Sequence, residues 1–394
     1  MKKRETEIFT AEIKLPPIVQ KKAQNALSSI TTEETDMKKE TKNNNASQKH
    51  FLFRRPAAAI IAACLLIVGG ITATAAACRY FGSGMRGVIQ ATPTQQQTLL
   101  ENGMATVLEA TPEETLPAVT SGDVTVKAAG VIADSAFVHL SFSVEGYLLE
   151  EGTEPCFEYI HVYRGTDPQA EDGYLNMSGS FFDGIVRGDD GRPVYLDGSP
   201  IAFDENGRLL EYYMDENGAL EFDMVLWAPE MGESLLGETI HVEFENLGTV
   251  YKAQYENVLT GKWAFDIPIS GSSAATEYTL DEALGDSGIT VKTAVLSPIS
   301  IQLTYGLTAK ILEAEESGDN SVLPSFTGVR LKDGTLLPYL GSAGTQYMDA
   351  ASQEYRTLTA FEQVIDVDQV EGLLFYRPGQ DSEDGHWYFV PLEG

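Results

Sequence analysis

The five histidines are the side chains of this sequence best suited to chemistry at neutral pH, because an imidazole both titrates there and binds metals. They stand at positions 50, 139, 161, 241 and 386. His139 and His241 fall on polar positions of alternating segments, so we expect both to be solvated. The sequence holds no H-E-x-x-H, no paired C-x-x-C, no G-x-S-x-G and no Walker loop. We therefore predict no catalytic residue and no cofactor, and the protein is predicted not to be an enzyme.

Two short repeats could in principle bind calcium. In Asp204-Glu-Asn206-Gly207 and Asp215-Glu-Asn217-Gly218, alternate oxygen ligands precede a glycine, as in half of a calcium loop. Such a loop needs Glu at its twelfth position, where the first repeat has Asp215 and the second has Leu226. Turns of successive hairpins explain both repeats without a metal, and no metal site is predicted.

The cysteines exclude a disulfide framework. Cys64 and Cys78 lie in or at the end of an apolar run, which leaves Cys156 alone in the polar part of the chain. A single Cys78–Cys156 bridge remains open. The segment before residue 56 contains no cysteine and only His50, which excludes a zinc-stapled fold there.

Charge divides the chain at an apolar run. Residues 1–55 hold 12 basic and 7 acidic side chains, a net charge of +5, and the remainder holds 15 basic and 51 acidic ones, a net charge of −36. Phosphates would be repelled by so acidic a surface, so no nucleic-acid partner is expected. Carboxylates are too numerous for any chance pair to indicate an acid/base site.

The run from 56 to 78, PAAAIIAACLLIVGGITATAAAC, has no charged residue and follows Arg54 and Arg55. As a helix it would be about 34 Å long, enough to cross a hydrocarbon core of about 30 Å. Basic residues stay on the cytoplasmic side of such a span. The sequence therefore predicts a single-pass protein in the cell membrane, with the N-terminus cytoplasmic and the C-terminus extracellular.

The alternative to a membrane span is that this run belongs to a signal sequence that is cleaved off. Ala75–Ala77 resembles a signal-peptidase site, and Ile61–Cys64 resembles the pattern before a lipid-modified cysteine. Against both, the run begins only after 55 residues and is longer than a signal's apolar region of about 7–15 residues. An uncleaved anchor in the lipid bilayer is the prediction.

The cytoplasmic segment 1–55 contains one amphipathic pattern, over residues 16–30. Pro16 and Pro17 suit a helix start, and the apolar positions recur at helical spacing. These positions, which we assign as the partner-binding residues, are Val19, Ala23, Ala26, Leu27 and Ile30. The helix would either lie on the inner membrane surface, helped by neighbouring lysines, or dock on a cytoplasmic partner.

Beyond the span, residues 79–121 are rich in Thr, Pro, Gln and Glu and are predicted to form a stalk with one short helix near 98–109. Alternation with a period of two then predicts strands separated by Asp-Gly and Asn-Gly turns. We expect two extracellular antiparallel β-sandwich-like domains, 122–270 and 271–394, with a linker over 271–278, so the fold class is mainly β. The predicted strands are 138–144, 220–226, 240–244, 263–267, 289–295, 299–305, 327–331, 372–376 and 387–392.

Several motifs resemble one bacterial family. They are Pro16-x-x-Val19-x-x-Lys22, Gly122-Asp-Val-Thr-Val126, Val131-Ile-Ala-Asp134, Gly261-Lys-Trp-Ala-Phe-Asp-Ile267, Val295-Leu-Ser-Pro-Ile-Ser-Ile301 and Leu331-Lys-Asp-Gly334. Together they resemble Gram-positive membrane proteins that carry the domain of unknown function numbered 4179. The resemblance implies an anti-sigma-like protein whose cytoplasmic part holds an extracytoplasmic-function sigma factor. It implies no catalytic residues.

Two functions follow as expectations. In the first, the β domains sense an envelope signal and residues 1–55 restrain the sigma factor. In the second, the β domains are a surface-anchored binding or structural module of the envelope with a passive tail. An extracellular hydrolase is a third class, for which the sequence offers no site.

Overall fold

The structure, a computed structural model, describes residues 89, 91–107, 118–150, 152–165, 173–188, 192–215, 217–251, 254–376 and 387–392. The predicted helix at 16–30, its partner-binding residues and the predicted span at 56–78 lie outside these ranges. No helix within the described ranges is both long enough and apolar enough to cross a membrane.

Strands dominate the described chain, which confirms the mainly β prediction. Every strand pair in the described ranges is antiparallel. Two α-helices and two 3-10 turns accompany them: α1 (Pro93–Glu101), α2 (Ala309–Glu316), Asn320–Val322 and Val367–Gln369. The strands are β1 (Ala105–Val107), β2 (Ala118–Ser121), β3 (Val124–Ala133), β4 (Val138–Glu145), β5 (Glu154–Arg164), β6 (Asn176–Phe181), β7 (Ile185–Arg187), β8 (Pro193–Tyr195), β9 (Leu220–Trp227), β10 (Thr239–Tyr251), β11 (Gln254–Pro268), β12 (Thr276–Ala283), β13 (Ile289–Leu296), β14 (Ser300–Leu307), β15 (Phe326–Leu331), β16 (Leu336–Pro338), β17 (Gly341–Asp349), β18 (Glu354–Phe361), β19 (Val370–Tyr376) and β20 (Trp387–Pro391).

Two sheets form what we call the N-terminal sheet pair. One has the order β1-β3-β4-β9-β6, with β2 also paired to β3, and the other has the order β11-β10-β5. Their inner faces share one apolar core, in which Phe142 and Phe244 meet with ring centroids 4.9 Å apart and Phe157 and Phe222 at 5.3 Å. The indole N–H of buried Trp263 donates to the carbonyl of Val124 at 3.2 Å.

Two further sheets form the C-terminal sheet pair. Their orders are β12-β13-β14-β18-β17 and β16-β15-β19-β20. A second apolar core lies between them, where Tyr305 of β14 packs edge-on against Phe375 of β19 at 6.1 Å. Helix α2 adds buried Ile311 and Leu312 to this core.

The alternating segments of the sequence fold as predicted. The strands expected at 138–144, 220–226 and 299–305 are β4, β9 and β14, each displaced by no more than two residues at either end. The predicted linker at 271–278 ends early, because β12 already begins at Thr276. Turn glycines take the expected left-handed backbone, for example Gly334 with φ +87° in the β15–β16 hairpin, a conformation that a side chain disfavours.

Candidate functional site

Helix α1 is the first described element after the predicted span, and its ends are set by local chemistry. Thr92 and Gln95 form a capping box: the Thr92 hydroxyl accepts from the Gln95 N–H, and the Gln95 amide oxygen accepts from the Thr92 N–H. Pro93 is the first residue of the helix, where a backbone N–H would have no partner within the helix, so the missing N–H of proline costs no hydrogen bond. The helix stops before Gly103, which has φ +67°.

One face of helix α1 and the chain on either side of it pack where the two sheet pairs meet. A small apolar cluster joins the flanks to both pairs, and it consists of Ile89, Leu99, Met104, Ala105, Ile132, Ile299 and Val364. In addition, the Gln95 side-chain amide donates to the Val364 carbonyl at 2.7 Å. Residues 91–107 are thus packed structure and not the stalk expected for 79–121, and the helix begins five residues before the expected 98–109.

A carboxyl group links the sheet pairs across the same junction. Asp134, in the β3–β4 turn, is only 2% exposed. One oxygen accepts from the backbone N–H groups of Ala136 and Phe137, each at 2.8 Å. The other accepts from the hydroxyls of Ser297 and Ser300, each at 2.5 Å, in the turn that leads into β14. Both oxygens are therefore fully used, as a buried carboxyl group requires.

Apolar side chains extend the junction beyond Asp134. The outer faces of the β4–β9 sheet and of β18 meet through Phe137, Val225, Trp227, Leu358 and Ala360. Phe137 and Trp227 pack with ring centroids 5.9 Å apart. At the edge of the contact, Arg187 pairs with Glu362 at 3.1 Å. Two apolar clusters and the hydrogen bonds of Asp134 thus join the two sheet pairs.

The expected solvation of His139 is wrong for this reason. His139 lies on the polar face of the β4–β9 sheet, as its alternation indicates, but that face is covered, and the side chain is fully buried. Burial lowers the pKa of His139 to about 3, because the imidazolium form would lose its hydration. Neither ring nitrogen has a hydrogen-bond partner within the described residues.

A second charged arrangement lies on the outer face of the β5–β10–β11 sheet, which we call the charged face. Val242 and Phe244 of β10 point to the core, so the alternate residues of this strand point outwards. Strand register places His161 of β5 directly opposite Glu243 of β10. The charged face comprises His161, His241, Glu243, Glu245, Lys262 and Asp266.

Ion pairs connect the side chains of the charged face. The Lys262 ammonium lies 2.6 Å from a Glu243 oxygen and 3.5 Å from a Glu245 oxygen. Nδ1 of His241 lies 2.6 Å from an Asp266 oxygen. Partial burial would raise the pKa of Glu243, but the hydrogen bond and charge of Lys262 outweigh it and lower this pKa.

The charged face contains the one group of metal-ligating side chains found in the described ranges. Ligand atoms of His161, Glu243 and Glu245 all lie within 4.8 Å of one another. These residues were not predicted from the sequence, because β5 and β10 are about 80 residues apart and only their pairing joins the side chains. The alternation Tyr159-x-His161-x-Tyr163 is the signal that could have placed β5.

The two Asp-x-Asn-Gly repeats form turns, as the interpretation without a metal predicts. One oxygen of Asp204 accepts from the N–H groups of Asn206 and Arg208, each at 2.8 Å. Asp215 makes the corresponding bonds at 2.8 and 2.9 Å. Both aspartates thus direct an oxygen at their own backbone.

Comparison with known proteins gives a structural likeness and no sequence match. No protein-family model and no curated protein matches the sequence. Among solved structures, the crystal structure of the conserved domain protein from Bacillus anthracis matches with a TM-score of 0.41 and 13% identity. The match covers 74% of this chain and 91% of that one.

Proposed function

We propose that this chain is a single-pass, anti-sigma-like signalling protein of the bacterial cell membrane. In this proposal two extracellular β-sandwich-like domains sense an envelope signal, the run 56–78 crosses the lipid bilayer, and the segment 1–55 binds an extracytoplasmic-function sigma factor. The chain would belong with the proteins that carry the domain of unknown function numbered 4179.

The observation that carries the proposal is the packing of one face of α1 where the two sheet pairs meet. The helix begins at Pro93, 15 residues after the end of the apolar run at Cys78, so it is the first described element on the outer side of the proposed span. Any ligand that changed the junction would change the contacts of Leu99 and Gln95, and so would act on the chain that leads to the membrane.

Charge and motif placement give further support. The 12 Lys and Arg residues before residue 56, with Arg54 and Arg55 directly before the run, support the cytoplasmic placement of the N-terminus. Two motifs of the family resemblance, Val131–Asp134 and Val295–Ile301, meet at the junction through the hydrogen bonds of Asp134.

Binding of residues 1–55 to the cell's sigma factors tests the proposal. In a pull-down, the segment should retain a sigma factor, and changing Val19, Ala23 and Leu27 to Ser should abolish this retention because it removes the apolar helix face. The matched control changes Gln20, Gln24 and Asn25 to Ser, on the polar positions. Equal retention by both variants, or retention of no sigma factor at all, would refute the proposal.

The alternative is a surface-anchored binding or structural module without a signalling role. The charged face, with three potential ligand side chains, favours a binding function for the β part on its own. Deleting residues 2–50 separates the two candidates. A signalling protein should then lose control of its target genes, whereas an anchored module that still inserts should keep its phenotype.

A further inference from the structure

We propose that the charged face binds one divalent transition-metal ion through His161, Glu243 and Glu245. Their ligand atoms lie within 4.8 Å of one another. Ligand atoms around a tetrahedral zinc ion are about 3.3 Å apart, given metal–ligand bonds of about 2.0 Å. His161 is exposed and both glutamates are partly exposed, so small side-chain rotations close the difference without moving a strand.

The strand framework fixes the three donors on one side of the sheet. His161 and Glu243 are register partners on adjacent strands, and Glu245 is two residues further along the same face of β10. Directly paired residues have Cβ atoms about 5 Å apart, and neighbours two residues along a strand are also within reach of long side chains. The three donors therefore converge from one sheet, and the solvent side is open for a water or an outside ligand.

A positive charge already lies between the two carboxylates. The Lys262 ammonium contacts Glu243 at 2.6 Å and Glu245 at 3.5 Å. The side chain of Lys262 is 58% exposed, so it can move into solvent when a metal replaces it. Lys262 thus competes with the ion for the two carboxylates, and its removal should strengthen metal binding.

His241 places a further ring nitrogen next to Glu243. Its Nδ1 faces Asp266 at 2.6 Å, and its Nε2 is buried without a hydrogen-bond partner in the described part of the chain. That nitrogen lies 3.7 Å from a Glu243 oxygen. If the Nδ1 proton is directed at Asp266, the Nε2 lone pair faces this Glu243 oxygen, so His241 borders the site on the Glu243 side.

The donor set indicates the class of metal. Carboxylates alone suit calcium or magnesium, whereas an imidazole among them favours zinc and its first-row neighbours. The site is independent of the signalling proposal, since it requires only the fold of the β5–β10–β11 sheet.

Calorimetric titration with Zn²⁺ tests the site on the full-length protein, purified in a non-ionic detergent and stripped with EDTA. We expect one saturable site per chain. His161→Ala, Glu243→Gln and Glu245→Gln should each weaken it at least about tenfold. Lys262→Met should strengthen it about fivefold, because the competing ammonium is gone. Ca²⁺ should bind more weakly than Zn²⁺.

His386→Ala and Glu256→Gln are the matched controls, which remove a histidine elsewhere in the sequence and an exposed glutamate of β11. Both should bind Zn²⁺ as the unmodified protein does. The proposal is overturned if neither the protein nor Lys262→Met shows saturable binding. It is equally overturned if His161→Ala and Glu245→Gln, with unchanged circular dichroism spectra, bind as tightly as the controls.

Discussion

At the scale of single residues, Asp134 joins parts of the chain that are 163 and 166 residues apart. Asp134→Ala leaves two backbone N–H groups and two serine hydroxyls without their acceptor in a buried place. We expect a loss of about 2–4 kcal/mol in the free energy of unfolding, since each orphaned donor costs about 1–3 kcal/mol unless water reaches it. Urea titration of the full-length protein in detergent, followed by tryptophan fluorescence, measures this loss.

Asp286→Ala is the control for Asp134, because Asp286 is exposed and its removal should change stability by less than about 0.5 kcal/mol. Ser300→Ala, which removes one of the four bonds, should fall between the two variants. If Asp134→Ala were as stable as Asp286→Ala, the carboxyl group would have no part in holding the sheet pairs together.

His139 makes stability depend on pH. Its pKa is about 3 in the folded protein and 6.5 in the unfolded chain. The unfolded state therefore binds the additional proton between these values, so stability falls as the pH falls from about 6.5 towards 3, by up to about 1.4 kcal/mol per pH unit. His139→Leu should flatten this slope. Unfolding free energies at pH 7, 6, 5 and 4 measure the difference.

Ser141→Ala serves as the control for the pH slope. Ser141 is buried two residues from His139 on the same face and does not titrate in this range. Its variant should keep the slope of the unmodified protein even if its overall stability changes. Equal slopes for all three proteins would mean that His139 is not the group that titrates.

At the scale of elements, α1 depends on Leu99 for its attachment. Leu99 is 1% exposed and contacts the cluster that joins both sheet pairs. Leu99→Ala should cost about 2–4 kcal/mol of local stability, because it leaves a cavity at the junction. Hydrogen exchange of peptides from 93–107 should then accelerate at least about 30-fold, while peptides of β14 keep their rates.

Gln97→Ala is the matched change on the exposed side of α1, where the side chain only bonds Glu101. Its exchange rates should stay within about threefold of the unmodified protein. If exchange accelerated over the whole chain in Leu99→Ala, α1 would be part of the global folding unit and not a separately released element.

The elements that alternate cleanly could be predicted from the sequence, and those decided by distant contacts could not. Ile301, Leu303 and Tyr305 alternate because one face of β14 is in the core of the C-terminal sheet pair, and this strand was predicted. Helix α1 spans nine residues, too few for a clear helical period, and its packing partners include Ile299 and Val364, which are more than 190 residues away. The charged face was not predicted from the sequence for the same reason, because only the pairing of β5 with β10 brings His161 next to Glu243.

In the folded molecule, the polar face of a sheet is buried when another sheet packs on it, so polar residues at alternate positions of a strand need not face water. His139, Ser141, Glu221 and Asp223 occupy polar positions of β4 and β9, where an isolated sheet would face water. All four are buried. The sequence pattern identifies which residues share a face, but not whether another part of the chain covers that face.

The net charge of the protein makes its thermal stability depend on salt. A net charge of −31 makes the compact state repel itself, and salt screens this repulsion over a Debye length that shortens from about 30 Å at 10 mM to about 10 Å at 100 mM. The same salt weakens ion pairs such as Lys127–Glu145, but these are partly exposed and worth at most about 1 kcal/mol each. Repulsion among the excess carboxylates outweighs these ion pairs, so the melting temperature should rise by a few degrees over this range.

Differential scanning calorimetry in EDTA and a non-ionic detergent measures the rise and keeps divalent metals out of the comparison. KCl should act as NaCl does, since screening depends on ionic strength; a melting temperature that fell with both salts would mean that the ion pairs outweigh the net charge.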